Sequence, residues 1–400
     1  MSDPIPSANP AADGASPVAV DARPAAVDAR PAAPAGASGP SPADPALAAL
    51  RDCVRAADAD RARLRLHGGG TKDFYGEPSG GEPLDLRAVR GIVSYEPTEL
   101  VVTVRCGTPL HELETALAER RQFLPFEPPH FGAGATVGGM VAAGLSGPRR
   151  ATAGAVRDFM LGAVLMDARG ELLHFGGQVM KNVAGYDVAR LLAGSMGILG
   201  PIVQVSLKVL PLPAAEATVT MAAGLRDALA SMNRWGGQPL PVSATAWAGG
   251  ELSVRFSGAR AAVDAAVRRF VDEHGATALD PEAAARRWSG LREQTDPFFD
   301  GEQPLWRLSV PSTAQAFEFP GRQLVEWGGA LRWFRTDADP ARVREAAATV
   351  GGAATLFRAR DMSPGAFAPL PPAVLELHRR LKREFDPRGL FNPGRLVAGL

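Results

Sequence analysis

Cysteine is nearly missing from this sequence: Cys53 and Cys106 are the only two in 400 residues, and they stand in no Cys-x-x-Cys spacing. That excludes an iron–sulfur cluster held by this chain alone and any disulfide framework, and it fits a cytosolic protein. Both thiols are expected to be simply buried, one on a helix and one at a strand end. Charge of one sign is missing too. The 43 basic residues balance the 43 acidic ones, and no Lys/Arg stripe is interleaved with aromatics, so nucleic acid is excluded as a partner. No segment reaches the roughly 18 apolar residues of a membrane span, and no apolar run of about 7 to 15 residues follows a basic start as in a secretory signal. The six histidines are scattered, with no pair at metal-ligand spacing, so no metal site is expected. His67-Gly68-Gly69-Gly70-Thr71-Lys72 lacks the Gly-Lys-Ser/Thr ending of a Walker loop, and Gly132 to Gly138 is one residue too long for a Rossmann fingerprint.

Glycine and alternating apolar residues are what the sequence does contain. Residues 1–44 are a low-complexity Ala/Pro-rich tail in which Val20 to Ala26 is repeated at Val27 to Ala33, and they are expected to be disordered. A helix is expected over Asp44 to Ala59, with Leu47, Leu50, Val54 and Ala57 on one face. Strands are expected at Arg63 to Leu66, Ile92 to Tyr95 and Leu100 to Val104, then a helix capped by Thr108 with Pro109 at its first position. Phe159 to Met166 and Glu171 to Phe175 read as a hairpin around Asp167 to Gly170. After the loop Gly176 to Tyr186, Asp187 is a candidate cap for a short helix ending at Gly194, and Ile202 to Val209 alternates like a half-buried strand. Beyond Pro213 the pattern turns to a small α+β layer, with strands at Ala217 to Met221, Val242 to Trp247, Leu252 to Phe256, Leu305 to Val310 and Ala330 to Arg335 among helices. A last helix carries Leu375, Leu377, Leu381 and Phe385 as its apolar line.

The glycine clusters carry the chemistry. Bare amides of Gly69, Gly70 and Thr71 can converge on a diphosphate, or the stretch is a flexible turn. A second cluster runs from Gly132 to Gly147, a third punctuates Gly194, Gly197 and Gly200, and FDPRGLFNPGR closes the chain from Phe385 to Arg395. Taken in order, these stretches resemble the FAD-binding domain of the vanillyl-alcohol-oxidase (PCMH) type, and within it the FAD-binding E subunit of bacterial glycolate oxidase. The resemblance covers most of the chain after about Pro45.

The resemblance implies an α+β fold: a two-subdomain PCMH-type FAD-binding domain over residues 45–213, a smaller, abbreviated ferredoxin-like cap over 214–370, and a segment over 371–400 that returns to the FAD domain. It implies FAD contacts from Gly68, Gly69, Gly70, Thr71, Lys72, Gly134, Thr136, Val137, Gly138, Gly139, Gly144, Gly197, Gly200, Ile202 and Asn392, the last being either a flavin contact or a capping Asn ahead of Pro393. His67 precedes the glycines rather than following them, so non-covalent FAD is expected. Related 2-hydroxy-acid dehydrogenases carry a His-x-Gly-Asp-Gly-Asn-x-His signature in the cap and a glutamate where this chain has Met196. Neither occurs here, so no catalytic residue is assigned. Arg149, Arg150 and Arg157 are solvated surface or phosphate contacts; Arg307, Arg332 and Arg335, alternating with Trp306 and Trp333, are ordinary strand residues or a carboxylate site.

The implied function is the FAD subunit of a glycolate oxidase or dehydrogenase complex, turning glycolate into glyoxylate. Its partners would be a sister FAD subunit carrying the hydroxy-acid site and an iron–sulfur subunit; it would be cytoplasmic, with any membrane association through those partners. A self-sufficient flavin oxidase of a small alcohol or 2-hydroxy acid, and a scaffold that has lost its flavin, are the alternatives.

Overall fold

The computed structural model describes residues 44–177 and 187–400. Expectations for the tail up to residue 43 and for positions 178–186 of the glycine loop lie outside the described residues. The first helix spans Pro45–Asp60, and Asp44 caps it by accepting the Ala46 N–H at 2.9 Å. Its buried face, Leu47, Leu50, Val54 and Ala57, packs with Leu64, Leu84, Val164 and Phe391. Cys53 falls on the outer face and is exposed, contrary to expectation, while Cys106 is buried.

Two antiparallel sheets carry most of the rest, beside a parallel pair, Leu64–His67 with Glu82–Asp85, and a short antiparallel pair, Gln122–Phe123 with Leu210–Pro211. The first has five strands in the order Ile92–Glu96, Val101–Arg105, Ile202–Lys208, Met160–Met166 and Leu172–Gly176. The Ile202–Lys208 strand is central and buried on both faces, not half-buried. Its alternation misleads because the polar residues are covered rather than wet: the Ser206 hydroxyl lies 2.8 Å from the Thr103 hydroxyl on the neighbouring strand. The hairpin turn is held by the Asp167 carboxylate, which accepts the N–H groups of Arg169 at 2.9 Å and Glu171 at 2.8 Å. Thr108 does not cap the helix Leu110–Glu119; Pro109 stands at that position, and the Thr108 hydroxyl accepts the Gly91 N–H at 2.8 Å instead.

The second sheet has eight strands in the order Thr277–Ala278, Ala215–Ala222, Glu251–Gly258, Val242–Ala248, Arg322–Glu326, Leu331–Arg335, Leu305–Ser309 and Ala353–Arg358. Three of them, the two-residue strand, Arg322–Glu326 and Ala353–Arg358, are not marked by alternation. This layer has eight strands against five in the first sheet. Tyr75, Ala143 and Met196 pack with Trp288, Phe298, Trp327, Trp333 and Phe357 in one apolar cluster, which joins this sheet to the glycine-rich half.

The last helix, Pro372–Phe385, runs past the core for its first two turns, which leaves Leu377 65% exposed against expectation. Its final turn is anchored by a buried knot. The Lys382 ammonium donates to Asp386 Oδ2 at 2.7 Å, to the Phe391 carbonyl at 2.7 Å and to the Ile198 carbonyl, so all three of its donors are used. Asp386 in turn accepts the N–H groups of Leu390 and Phe391, each at 2.8 Å. Removing one partner of such a pair strands the other in a dry site, so Lys382→Met should cost about 3–5 kcal/mol in urea unfolding, against under about 1 kcal/mol for breaking the exposed Glu376–Arg380 pair. A loss below about 1 kcal/mol for Lys382→Met would show that the knot does not anchor the helix.

Candidate functional site

A cleft of about 320 Å³ opens where four separated stretches meet: Arg65 to Asp73, Thr136 to Ala143, Met196 to Ile202, and Asn392 to Arg395. Glycine lets them meet. A methyl group on Gly69 would lie 1.4 Å from the Gly134 carbonyl oxygen, and one on Gly68 would lie 2.6 Å from the Thr136 hydroxyl. On the other wall, a Cβ at Gly138 would sit 2.9 Å from that of Cys106, and one at Gly197 would sit 2.8 Å from Asn392 Nδ2. Gly69 and Gly134 touch backbone to backbone, and the other glycines lie against small polar or thiol side chains, so the space between the stretches is walled by amides and small side chains.

Of the fifteen positions the resemblance implies, twelve line this cleft: Gly68, Gly69, Gly70, Thr71, Lys72, Thr136, Gly138, Gly139, Gly197, Gly200, Ile202 and Asn392. Three do not. Gly134 is the crossing point behind Gly69. Val137 is fully buried in the core, and Gly144 closes the short helix Val137–Ala143 in the left-handed region at φ 64°. The cleft also takes in residues that no motif marks, among them Arg65, Ser79, Leu86, Cys106 and Ala142. Small or strand-borne residues of this kind leave no signal beyond lying next to a glycine turn. Arg395 belongs to the closing signature and could have been singled out; its guanidinium donates to the carbonyls of Glu77 and Asp73, each at 2.8 Å, and ties the last segment to the first loop.

Asn392 lines the cleft and caps no helix. Its Oδ1 accepts the Leu66 N–H at 2.7 Å and its Nδ2 donates to the Met196 carbonyl at 2.7 Å, so one side chain braces two walls. Both Asn392 (φ 41°) and Met196 (φ 53°) hold left-handed backbone. Asparagine adopts that region readily; methionine does so at a cost of order 1 kcal/mol, which the brace offsets.

Electrostatically the cleft is set for an anion. Lys72 is buried, donates to the His130 carbonyl at 3.1 Å, lies 5.6 Å from the Phe131 ring centroid, and forms no ion pair among the described residues. Burial pushes its ammonium down to about 8, only partly countered by the charge of Glu293. Cys106 is driven the other way: burial pushes its thiol well up, so it is a neutral wall atom and not a nucleophile. The residues present fit a dinucleotide, with bare amides at Gly68 to Thr71 and a nearby cation for a diphosphate, and Leu66, Leu86, Ala142, Met196 and Ile202 as apolar walls for a flat ring.

The arginines resolve differently from expectation. Arg149 is neither solvated nor in the cleft; it is buried between Glu127, at 3.3 Å, and Glu216, at 2.6 Å, and Arg255 meets the same two carboxylates. Arg150 stacks 4.4 Å from the Trp327 ring centroid, and Arg157 is exposed. Arg332 gives its donors to the carbonyls of Gly329, Gln315 and Ala314, and Arg335 to those of Gln303 and Phe299, so neither has much left for a substrate. Arg307 has no such acceptor.

A family model described as an FAD binding domain matches residues 46–176. Glycolate oxidase subunit GlcE of Escherichia coli is 46% identical over 352 residues, which cover 88% of this chain and 97% of that protein. Glycolate oxidase subunit GlcD of Bacillus subtilis is 30% identical over 140 residues, 35% of this chain and 30% of that protein. D-lactate dehydrogenase of Anaerostipes hadrus is 34% identical over 134 residues, 34% of this chain and 28% of that protein. Among solved structures, an alkyldihydroxyacetonephosphate synthase superposes with a TM-score of 0.62 at 16% identity, covering 86% of this chain and 74% of that one, a likeness of fold.

Two outcomes are expected of the cleft. Gly69→Ala should force the crossing apart, lowering stability by about 1–3 kcal/mol and stripping bound FAD on gel filtration, whereas Gly80→Ala, where no atom lies within 4 Å, should do neither. Because a bound diphosphate favours the charged Lys72, FAD affinity should be full below pH 8 and fall as pH rises through 8, by at most roughly tenfold per unit. Lys72→Met should flatten that dependence; an unchanged slope would remove Lys72 from the phosphate site.

Proposed function

This chain belongs to the family of the glycolate oxidase subunit GlcE, and from that premise we propose how it serves as the FAD-binding subunit of a glycolate oxidase complex. The observation that carries the reading is the cleft at the Gly69–Gly134 crossing, lined by bare glycine amides and Lys72 together with Leu66, Leu86, Ala142, Met196 and Ile202. Bound FAD supplies a two-electron acceptor for the hydride leaving a 2-hydroxy acid and passes the electrons onward. The chain's own residues bind and orient that group. Gly68, Gly69, Gly70 and Thr71 offer N–H groups to the diphosphate with Lys72 beside them. Thr136, Gly138 and Gly139 keep the facing wall flat, and Gly197, Gly200 and Ile202 form the opposite side. Asn392 holds Leu66 and Met196 at fixed separation, which sets the width available to the ring.

The attachment is non-covalent. His67, the nearest histidine, lies outside the cleft lining, 3.9 Å from Asp73 Oδ2. Two cysteines cannot ligate an iron–sulfur cluster of the four-cysteine kind, so electrons leave through a partner subunit that carries one, and a sister FAD subunit carries the hydroxy-acid chemistry. Among the described residues no helix is long and apolar enough to cross a membrane, so any membrane association runs through those partners.

The test is the visible spectrum of the isolated chain before and after glycolate. A yellow protein that releases FAD on heating, and that glycolate bleaches only once the partner subunits are added, is the expected result. Rapid bleaching by glycolate alone would make the chain a self-sufficient oxidase, and a colourless chain that cannot be reloaded with FAD would overturn the flavoprotein reading.

A further inference from the structure

Glu293 is a carboxylate in a place its own helix does not favour. It is the last residue of the helix Pro281–Glu293, where an acidic side chain meets the negative end of the helix dipole, and it is partly buried. That helix packs on the second sheet, its Trp288 indole donating to the Thr218 hydroxyl at 2.9 Å. The contacts of Glu293 lie elsewhere. Its Oε1 accepts from Arg292 Nε at 2.7 Å, and its Oε2 accepts two successive backbone N–H groups of the glycine-rich half, those of His130 at 3.0 Å and Phe131 at 2.9 Å. Successive N–H groups converge on one acceptor where the chain turns left-handed, and Phe131 does so at φ 56°. A bulky residue keeps that conformation when its surroundings fix it, and here a carboxylate does.

The His130–Phe131 peptide carries the contact into the cleft. In a trans peptide the N–H and the carbonyl point opposite ways, so turning the Phe131 N–H toward Glu293 turns the His130 carbonyl away from it, and that carbonyl accepts from the Lys72 ammonium at 3.1 Å. Carboxylate, peptide and ammonium form one hydrogen-bonded line in which each bond polarises the next. The Phe131 ring closes the same corner, 5.6 Å from Lys72 Nζ and 5.5 Å from the Phe74 ring. Other charged groups surround it: Arg358, 5.2 Å from the Phe131 centroid; His130, whose ring lies 2.9 Å from Glu114; Arg395, which donates to the Lys72 carbonyl at 3.3 Å; and Arg65, 3.8 Å from Asp73. Burial pushes the Lys72 ammonium down to about 8, and among these charges it is Glu293 that opposes the shift.

We infer that Glu293 is a positioning residue for the cation of the cleft: from the second layer, through the His130–Phe131 peptide, it keeps Lys72 placed and charged beside the diphosphate. Glu293 itself does not line the cleft. Retention of FAD and the seating of the helix Pro281–Glu293 are therefore coupled. The ligand is taken from the FAD reading above, on which this inference rests, whereas the arrangement of Glu293, peptide and Lys72 can be tested without it.

FAD binding by the full chain is followed through flavin fluorescence between about pH 6 and pH 10, and the rate at which acetic anhydride acetylates Lys72 in the FAD-free chain is read by peptide mass spectrometry over the same range. Glu293→Gln keeps an oxygen for the two N–H groups and removes the charge. It should move both the fall in FAD affinity and the rise in Lys72 acetylation to lower pH, lowering affinity at pH 8 roughly two- to fivefold. Glu293→Ala frees the peptide as well and should weaken FAD binding roughly tenfold at every pH, with Gln recovering most of that loss at low pH. Glu282→Ala, exposed on the same helix, should change neither readout. In a Lys72→Met background Glu293→Gln should have no further effect. Profiles unmoved by Glu293→Gln, or an effect on FAD affinity that is as large in the Lys72→Met background, overturn the inference. A wild-type chain that takes up no FAD overturns the flavin reading instead, and the acetylation profile still decides this one: moved to lower pH by Glu293→Gln it stands, unmoved it falls.

Discussion

Where Gly69 passes Gly134, even a methyl group would have to occupy the position of a carbonyl oxygen, 1.4 Å away. That crossing fixes how closely the loop after the strand Leu64–His67 can lie on the turn before the helix Val137–Ala143. Everything about the cleft follows from the closeness. With no side chains at that contact, the peptide planes themselves form the wall. The same device recurs at Gly138 against Cys106 and at Gly197 against Asn392, so three independent crossings define a single opening. A groove lined by larger side chains could be equally apolar, but it would adapt its shape and lose its donors.

Much of this was legible in the sequence because glycine and capping residues act locally. Asp187 before Val188, and Asp167 before Arg169 and Glu171, each make hydrogen bonds within four residues of themselves, so the chain alone announces them. What the sequence could not convey is which polar residues are buried. Ser206 looks like a solvent-facing position until Thr103 is known to lie across from it, and Arg149 looks like surface until Glu127 and Glu216 converge on it. The short edge strand Thr277–Ala278 and the strand Arg322–Glu326 carry too little alternation to register; their places are set by neighbours already in the sheet. In the site, Gly134 and Gly144 match the resemblance, yet they serve the architecture behind the cleft and not its lining. Glycine content marks close approach and does not say to what.

The second sheet shows how charge is accommodated in a largely apolar layer. Arg332 is satisfied by three carbonyls, Arg335 by two, and Arg255 by two carboxylates and the Ser243 hydroxyl, at 3.1 Å from its Nε. Each is a structural cross-link whose burial cost is met by fixed acceptors. Half-buried Arg307 differs from these: among the described residues it has no hydrogen-bond acceptor, and it lies against the Trp327 and Trp333 rings, 5.2 Å and 5.9 Å from their centroids.

The C-terminal segment braces two walls of the cleft. Lys382 binds the carbonyls of Ile198 and Phe391 at once, Asp386 fixes the N–H groups of Leu390 and Phe391, and the chain then delivers Asn392 between Leu66 and Met196. Before that docking, the Leu66 N–H and the Met196 carbonyl lack their partner, and Met196 has lost the contact that offsets its left-handed backbone. A ligand that needs both walls binds the docked state alone, so its binding energy and the docking of the last residues add to the same equilibrium. Width of the cleft, order in the final segment and retention of the ligand are therefore one coupled property, governed by an asparagine that faces the cleft with both ends of its amide already committed to the backbone.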